Sequence, residues 1–249
     1  MMKQGIYTVV ANELIADRTM RMDLRGEDAP AERAGQFVDI ALEGRFLRRP
    51  LAATCWNGGD FSVIYKIVGE GTEQMARMEA GATLDILTHL GNGFDQTLCK
   101  KKALVVCGGL GASPVFTLVK DLVAIGKRVT VVMGFNTERE IFLEDEFRAL
   151  GAEVYVATMD GSKGFKGLVT GLLETLERDF DVFYTCGPKV MMKAVCDMLE
   201  GPGQVSLEER MGCGCGICYG CTCHTTKGAR RICADGPVFN REEVIWERK

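Results

Sequence analysis

Apolar residues follow two different rhythms along the chain, and the change of rhythm near residue 100 divides it. From residue 5 to about 97 there are six short runs, often alternating with polar positions: GIYTVVANEL, TMRMDLRG, QFVDIALEG, LAATCWN, FSVIYKIVG and ATLDILTHL. Gly, Asp, Asn or Glu separate them, as between strands joined by turns. Six such runs without a long helix predict an antiparallel six-stranded β-barrel, with GTEQMARMEAG, residues 71–81, as its one helical interruption.

After Lys100 the apolar runs become continuous: ALVVC (103–107), RVTVVMGF (128–135), AEVYVAT (152–158) and DVFYTC (181–186). Parallel strands covered on both faces read this way. Helical spacing fills the gaps, with Val115, Leu118, Val119, Leu122 and Val123 on one face and the same period in REIFLEDEFRAL and GLVTGLLETLER. PKVMMKAVCDMLE adds a last helix with Pro188 in its first turn, and GPGQ (201–204) marks a break. The predicted organisation is multi-domain: a barrel over 1–98, a doubly wound α/β domain over 99–202 and a small C-terminal segment over 203–249.

A net charge of -4 with interleaved signs leaves no basic face, which argues against nucleic acid or an anionic membrane as the main partner. No stretch approaches the roughly 18 apolar residues of a spanning helix, and the N-terminal residues do not read as a secretion signal. The expectation is a cytoplasmic protein, so its 11 cysteines are reduced thiols and metal ligands rather than disulfides. Cys55, Cys99, Cys107, Cys186 and Cys196 are scattered; the other six crowd between Cys213 and Cys233.

Within that crowd Cys213, Cys218, Cys221 and Cys233 read C-x4-C-x2-C-x11-C, whose first three members have the spacing of plant-type [2Fe-2S] proteins. Thiolates can converge so tightly only where the chain between them is small, and Gly212, Gly214, Gly216 and Gly220 provide that. Zinc is the alternative metal, since Cys218-x2-Cys221 is also a half-site, but a zinc ribbon wants a second pair near Cys233. Cys215 and Cys223 are surplus to four-fold ligation. A Rieske centre would need two histidines together, and His89 and His224 lie in different segments.

A second motif, VVCGGLGASPVF, runs a buried strand into Gly108, Gly109 and Gly111 and then a helix, with Ser113 as the expected cap and Pro114 in the first turn. Backbone N–H groups at such a turn can approach a pyrophosphate. The third glycine of the dinucleotide fingerprint is Pro114 here, so the turn gains meaning only from its neighbours.

Those neighbours are RRPLAAT (48–54), YKIVGEGT (65–72), HLGNGF (89–94), CGPKVMM (186–192) and the cysteine tail, in that order. The succession resembles the ferredoxin-reductase-like flavoproteins. With GQFV (35–38), DGSKGFKGLVT (160–170) and CADGPVF (233–239), it is similar over nearly its whole length to the electron-transfer subunits of class 1B dihydroorotate dehydrogenases. The resemblance implies FAD held by Arg49, Pro50, Leu51, Ala52, Tyr65, Lys66, Ile67, Val68, Gly71 and Thr72. It implies NAD(H) at Gly108, Gly109, Gly111, Pro114, Cys186, Gly187 and Pro188, and a [2Fe-2S] cluster on Cys213, Cys218, Cys221 and Cys233. It further implies an FMN-containing catalytic partner, a heterotetramer and a role in pyrimidine biosynthesis; the alternative is a homologous subunit of another bifurcating or sulfur-reducing complex. One position departs from the family, which usually reads Arg-Pro-Ile-Ser: Ala52 lacks the hydroxyl, with Thr54 as a substitute to be checked. Ile217, Tyr219, Val238 and Phe239 are candidates for partner contact.

Overall fold

The structure is a computed structural model that describes residues 2–246. Its first sheet comprises β1 (Lys3–Ala16), β2 (Thr19–Arg25), β3 (Phe37–Ile40), β4 (Arg49–Ala52), β5 (Thr54–Asn57), β6 (Asp60–Lys66) and β7 (Thr83–Leu90). The order is β4-β3-β7-β1-β2-β6-β5, with antiparallel neighbours throughout. The barrel therefore has seven strands where the sequence predicts six. The run that reads as one strand, LAATCWN, divides at Ala53: Arg49–Ala52 pairs with β3, Thr54 pairs with β6, and Cys55 takes a positive φ of 47°. The two edge strands are thus consecutive in the chain, and this corner all but closes the barrel. Tyr7, Val9, Met22, Val38, Ile40, Val63, Tyr65 and Ile86 fill it.

The helix expected over 71–81 is shorter. α1 spans Glu70–Ala76, because Asn12 Nδ2 from β1 takes the carbonyls of Met75 and Met78 and so ends the helix there.

The second sheet is built from β8 (Lys102–Gly108), β9 (Arg128–Phe135), β10 (Glu153–Thr158), β11 (Phe165–Lys166), β12 (Val182–Cys186) and β13 (Gly203–Ser206). These pair in parallel in the order β11-β10-β9-β8-β12-β13. Helices α2 (Ala112–Ala124), α3 (Glu144–Ala149), α4 (Val169–Glu174) and α5 (Lys189–Met198) cover it. α2 buries Val115, Leu118, Val119 and Leu122, as its spacing predicts. The long helical reading of REIFLEDEFRAL does not hold: Leu143 sits at φ 63° and interrupts it, leaving a short 3-10 turn before the six residues of α3.

The C-terminal segment contains the hairpin β14 (Thr222–Thr225) and β15 (Gly228–Arg231), the short α5-following helix α6 (Ile232–Asp235), and β16 (Val238–Asn240). β16 pairs antiparallel with β13, so the α/β sheet continues past the break at residue 202. The same segment reaches the barrel: Asn92 N donates to Gly236 O at 2.8 Å, Asn92 Nδ2 to Val238 O at 2.8 Å, and Val238 N to Asn92 Oδ1 at 3.1 Å.

Barrel and α/β domain also meet directly. Ser113 does not cap α2, which starts at Ala112; its hydroxyl lies 2.6 Å from Thr54 Oγ1 in a buried contact between the two domains. Cys55 N donates to Thr117 Oγ1 at 3.2 Å, Asp17 N to Arg139 O at 2.8 Å, and Lys66 pairs with Glu140 at 2.9 Å. Replacing Ser113 by Ala is expected to lower the unfolding free energy by about 1 kcal/mol, the usual net value of a buried hydrogen bond. Urea unfolding reads this as an earlier midpoint, and an unmoved midpoint would mean that the contact contributes nothing.

Candidate functional site

The glycine turn after β8 and the turn after β12 touch. A Cβ on Gly111 would fall within the backbone of Cys186 and 2.8 Å from Gly187 N, and one on Gly187 would meet Gly108 N at 2.9 Å. Gly187 itself sits at φ 146°. Only residues without side chains allow two turns to approach so closely. Above them opens a largely apolar cleft of about 400 Å³, lined among others by Gly108, Gly109, Phe135, Glu140, Pro188 and Met191. Ligands of open α/β sheets bind in such crevices beyond the carboxyl ends of the strands. Glu140, one of the two acids beside Arg139 in the run MGFNTERE, is among these lining residues. Its carboxylate accepts from Asn136 N (3.2 Å) and Nδ2 (2.9 Å) as well as from Lys66. Burial opposes the charge, but these donors hold the carboxyl below its ordinary pKa.

A second hollow of about 160 Å³ lies on the other side of Cys186, between the barrel and the α/β domain. Pro50, Leu51 and Ala52 of β4 form one wall, Pro114, Cys186 and Ser206 another, and Glu208 and Met211 lead out toward the cysteine segment. Cys186 is fully buried at the end of β12, and its thiol is pushed well up by burial and then by the Glu208 carboxylate. Glu208 faces the open space of the hollow, yet protein surrounds its carboxyl closely enough to raise its pKa by desolvation. Thr54 does not restore the hydroxyl missing at Ala52, because it is 2% exposed and committed to Ser113.

Further along the barrel, Arg49 lies over the start of α1, with its guanidinium where a Cβ of Gly71 would be. That bare glycine leaves room for the cation beside backbone N–H groups, a cradle suited to a diphosphate. Not every predicted residue faces it with its side chain. Tyr65 is buried in the barrel, donates to Asn12 Oδ1 at 3.0 Å, and is pushed up to about 12 by burial. Lys66 is spent on Glu140. The Thr72 hydroxyl shapes the turn, accepting from Val68 N (2.9 Å) and Gly69 N (3.2 Å). Val68 is 74% exposed beside that turn, and Ile67 N bonds Arg18 O at 2.8 Å.

Two residues beyond Met211 the cysteine loop begins. Cys213 Sγ accepts N–H bonds from Ile217 (3.2 Å) and Cys218 (3.4 Å), Cys218 Sγ from Gly220 (3.4 Å), and Cys221 Sγ from Cys233 (3.4 Å). Burial pushes the Cys213 thiol up, but backbone donors from Cys218, Cys215 and Ile217 and the Cys218 thiol bring it down to about 6. Cys233 goes the other way, pushed up to about 12 by burial and by its contact with Cys221. The loop thus pairs Cys213 with Cys218 and Cys221 with Cys233; among the described residues no three His, Cys, Asp or Glu side chains form a ready metal nest. The donor set still fits an iron–sulfur group, because soft sulfurs supplied with backbone N–H bonds are what such a group needs. Arg231 braces the loop, donating to Gly216 O at 2.7 Å and lying 5.1 Å from the centre of the Tyr219 ring, while Asp235 holds its other nitrogens. Ile217 and Tyr219 are 79% and 63% exposed at the loop's tip. Val238 and Phe239 are buried, so of the four residues expected at a partner contact these two belong to the core instead.

Comparison with known proteins accords with this layout. The iron-sulfur cluster binding domain of dihydroorotate dehydrogenase B matches residues 208–245, and an oxidoreductase NAD-binding domain matches residues 105–197. The dihydroorotate dehydrogenase B (NAD(+)) electron transfer subunit of Bacillus pumilus is 39% identical, covering 98% of both chains. That of Geobacillus kaustophilus is 41% identical over 96% of this chain and 97% of its own. Among solved structures, a chain of an NADH-dependent reduced ferredoxin-NADP oxidoreductase, studied for flavin-based electron bifurcation, superposes with a TM-score of 0.87. It is 31% identical, covering 96% of this chain and 89% of that one. At 39–41% identity to such subunits over 96–98% of its length, and with their iron-sulfur domain matching its cysteine segment, the chain belongs to the dihydroorotate dehydrogenase B (NAD(+)) electron transfer subunits.

Proposed function

We propose that this chain carries electrons along one seam, between a nicotinamide in the glycine-turn cleft, FAD in the barrel hollow and a [2Fe-2S] cluster on Cys213, Cys218, Cys221 and Cys233. The observation that carries this reading is the continuity of lining residues. Cys186 and its turn separate the cleft from the hollow by a single layer, and Met211 of the hollow is two residues from Cys213. As an electron transfer subunit of an NAD(+)-linked oxidoreductase, the chain works with FAD, an iron–sulfur cluster and NAD(H). A flavin exchanges electron pairs with nicotinamide and single electrons with a cluster.

The residues do the placing. Gly108 and Gly109 let the backbone approach the dinucleotide, while Gly111 lets the Cys186 turn close against theirs and Gly187 and Pro188 shape the floor of the cleft. Pro50, Leu51, Ala52 and Pro114 give the hollow flat apolar walls, which exclude water from a ring held against them. Arg49 over Gly71 neutralises a diphosphate. The exposed rim of Ile217 and Tyr219 beside the ligand loop is where a partner's own flavin would come near.

Nicotinamide choice follows from Glu140. A carboxylate fixed in the cleft by the turn that follows β9 suits a ribose hydroxyl and repels a 2′-phosphate. NADH is therefore expected to exceed NADPH in kcat/KM by about tenfold or more, or ~1.4 kcal/mol, with a dye as acceptor. Equal efficiency with the two would refute the assignment of Glu140.

The partner we infer is an FMN-containing dihydroorotate dehydrogenase catalytic subunit, in a cytoplasmic heterotetramer that passes electrons from dihydroorotate to NAD+. No helix among the described residues is long and apolar enough to cross a membrane. Mixing the two subunits should give a stable complex with dihydroorotate:NAD+ activity. The likeness to the bifurcating oxidoreductase favours a second reading, in which the same cofactors serve another flavoprotein. No complex with the dihydroorotate dehydrogenase subunit, together with a functional complex with such a flavoprotein, would establish that one.

A further inference from the structure

The barrel residue Asp39 has no place in the scheme above, yet it is built into the seam. It lies on the outward face of β3 with Phe37, a wall of the hollow, and pairs in register with Pro50, another wall residue. Only 2% of Asp39 is exposed, and its Oδ1 is buried without a hydrogen-bond partner. Its Oδ2 fills the space where Gly214, in the turn just after Cys213, would carry a Cβ. Gly214 stands at φ 65°, so both backbone shape and the carboxylate demand glycine there. Burial opposes the Asp39 charge, while Arg48 and Arg49 favour it without a hydrogen bond to the carboxylate. Arg48 reaches Asp39 through its backbone carbonyl, at 3.3 Å, and forms its ion pair with Asp85 at 3.0 Å.

A buried carboxylate without a partner costs stability, and such a group persists where its charge or shape is used. We propose that Asp39 is a positioning residue for the iron–sulfur cluster: it seats the first turn of the ligand loop on the flavin barrel and, through its negative charge, lowers the cluster's reduction potential. Reduction adds one electron to the cluster and makes or breaks no bond in the chain, so the effect of Asp39 on it is electrostatic. In an enclosed, weakly screened setting a negative charge beside the ligand loop disfavours that added electron. A cluster held low in potential and fixed against the flavin wall can return electrons toward NAD+, the direction in which an NAD(+)-linked subunit runs.

The inference rests on the four-cysteine cluster reading, and its test separates the two. Anaerobically purified holoprotein is titrated with reductant while the cluster's electron paramagnetic resonance signal is followed, for wild type and Asp39→Asn. The amide keeps the shape and removes the charge. The expected result is wild-type iron and FAD content with a midpoint moved positive by about tenfold in the reduced-to-oxidised ratio, ~59 mV for a one-electron couple. A midpoint equal to wild type, with iron present, overturns the role of Asp39 and leaves the cluster reading intact. Absence of iron and sulfide from the wild-type protein overturns both. If Asp39→Asn loses its iron, Gly214→Ala decides the matter, since it keeps the charge but lifts the loop from it. An altered resonance line shape supports the seating, and a wild-type line shape overturns it.

Discussion

Cys218→Ser is expected to purify with FAD in place but with iron and acid-labile sulfide falling from about two of each per chain to near zero. Oxygen at that position cannot replace a thiolate for a soft iron–sulfur group. Cys218 Sγ takes the Gly220 N–H and its thiol supports Cys213, so the substitution also removes part of what readies the first ligand. The flavin should stay, because Arg49, Gly71 and the β4 wall share no hydrogen bond with Cys218. Activity divides accordingly: NADH-dependent dye reduction should hold to within about twofold, while dihydroorotate:NAD+ activity with the partner should fall at least 100-fold, ~2.7 kcal/mol or more. Cys215→Ser and Cys223→Ser should retain iron. Full iron in Cys218→Ser, or loss of it in Cys215→Ser, would shift the ligand register.

Gly111→Ala is expected to strike the other end of the seam. A Cβ there would enter the backbone of Cys186, and backbone cannot swing aside as a side chain can. Forcing one methyl into a close-packed contact typically costs 1–3 kcal/mol, so about that much stability should be lost. The function should suffer more than the fold. The two turns that define the cleft floor must separate, and kcat/KM for NADH with a dye acceptor should drop by about 10- to 100-fold, ~1.4–2.7 kcal/mol. Wild-type kcat/KM would show that the contact between the Gly111 and Cys186 turns is unimportant for placing the dinucleotide. Gly71→Ala offers a contrast, because there the atoms in the way are the far end of Arg49. The barrel should tolerate it, and the expected loss is in FAD retention.

Both substitutions probe features that the sequence reveals in part. The α/β strands are legible because burial on both faces leaves unbroken apolar runs, and α2 because its stripe is regular. The seventh barrel strand is hidden inside LAATCWN, since apolar residues serve equally on either side of a corner and only pairing partners show where the chain turns. Leu143 reads as a good helix residue but takes a left-handed conformation, which nothing in its own chemistry announces. Ser113 has the signature of a helix cap, yet a partner distant in sequence, Thr54, takes its hydroxyl. The same limit governs the site. Turns and cysteine spacing are local, so they can be read from the chain, whereas Asp39 looks like one polar residue alternating in a strand until Gly214 is brought onto it. Glu140 stands in the sequence as one of two acids beside Arg139 in MGFNTERE. Its place in the cleft depends on Asn136 and on Lys66 from the barrel.

β16 and Asn92 give the cysteine segment a second meaning. The strand adds to the α/β sheet through β13, while the Asn92 amide and backbone clasp the same stretch from the barrel. None of these bonds involves a cysteine, so the clasp does not depend on iron. The segment is therefore no detachable cartridge. Grafting it onto another reductase would require a matching free edge on the recipient's sheet and an amide at the barrel's corresponding turn, and cutting it away here would bare β13 as an unprotected strand edge, an invitation to aggregation.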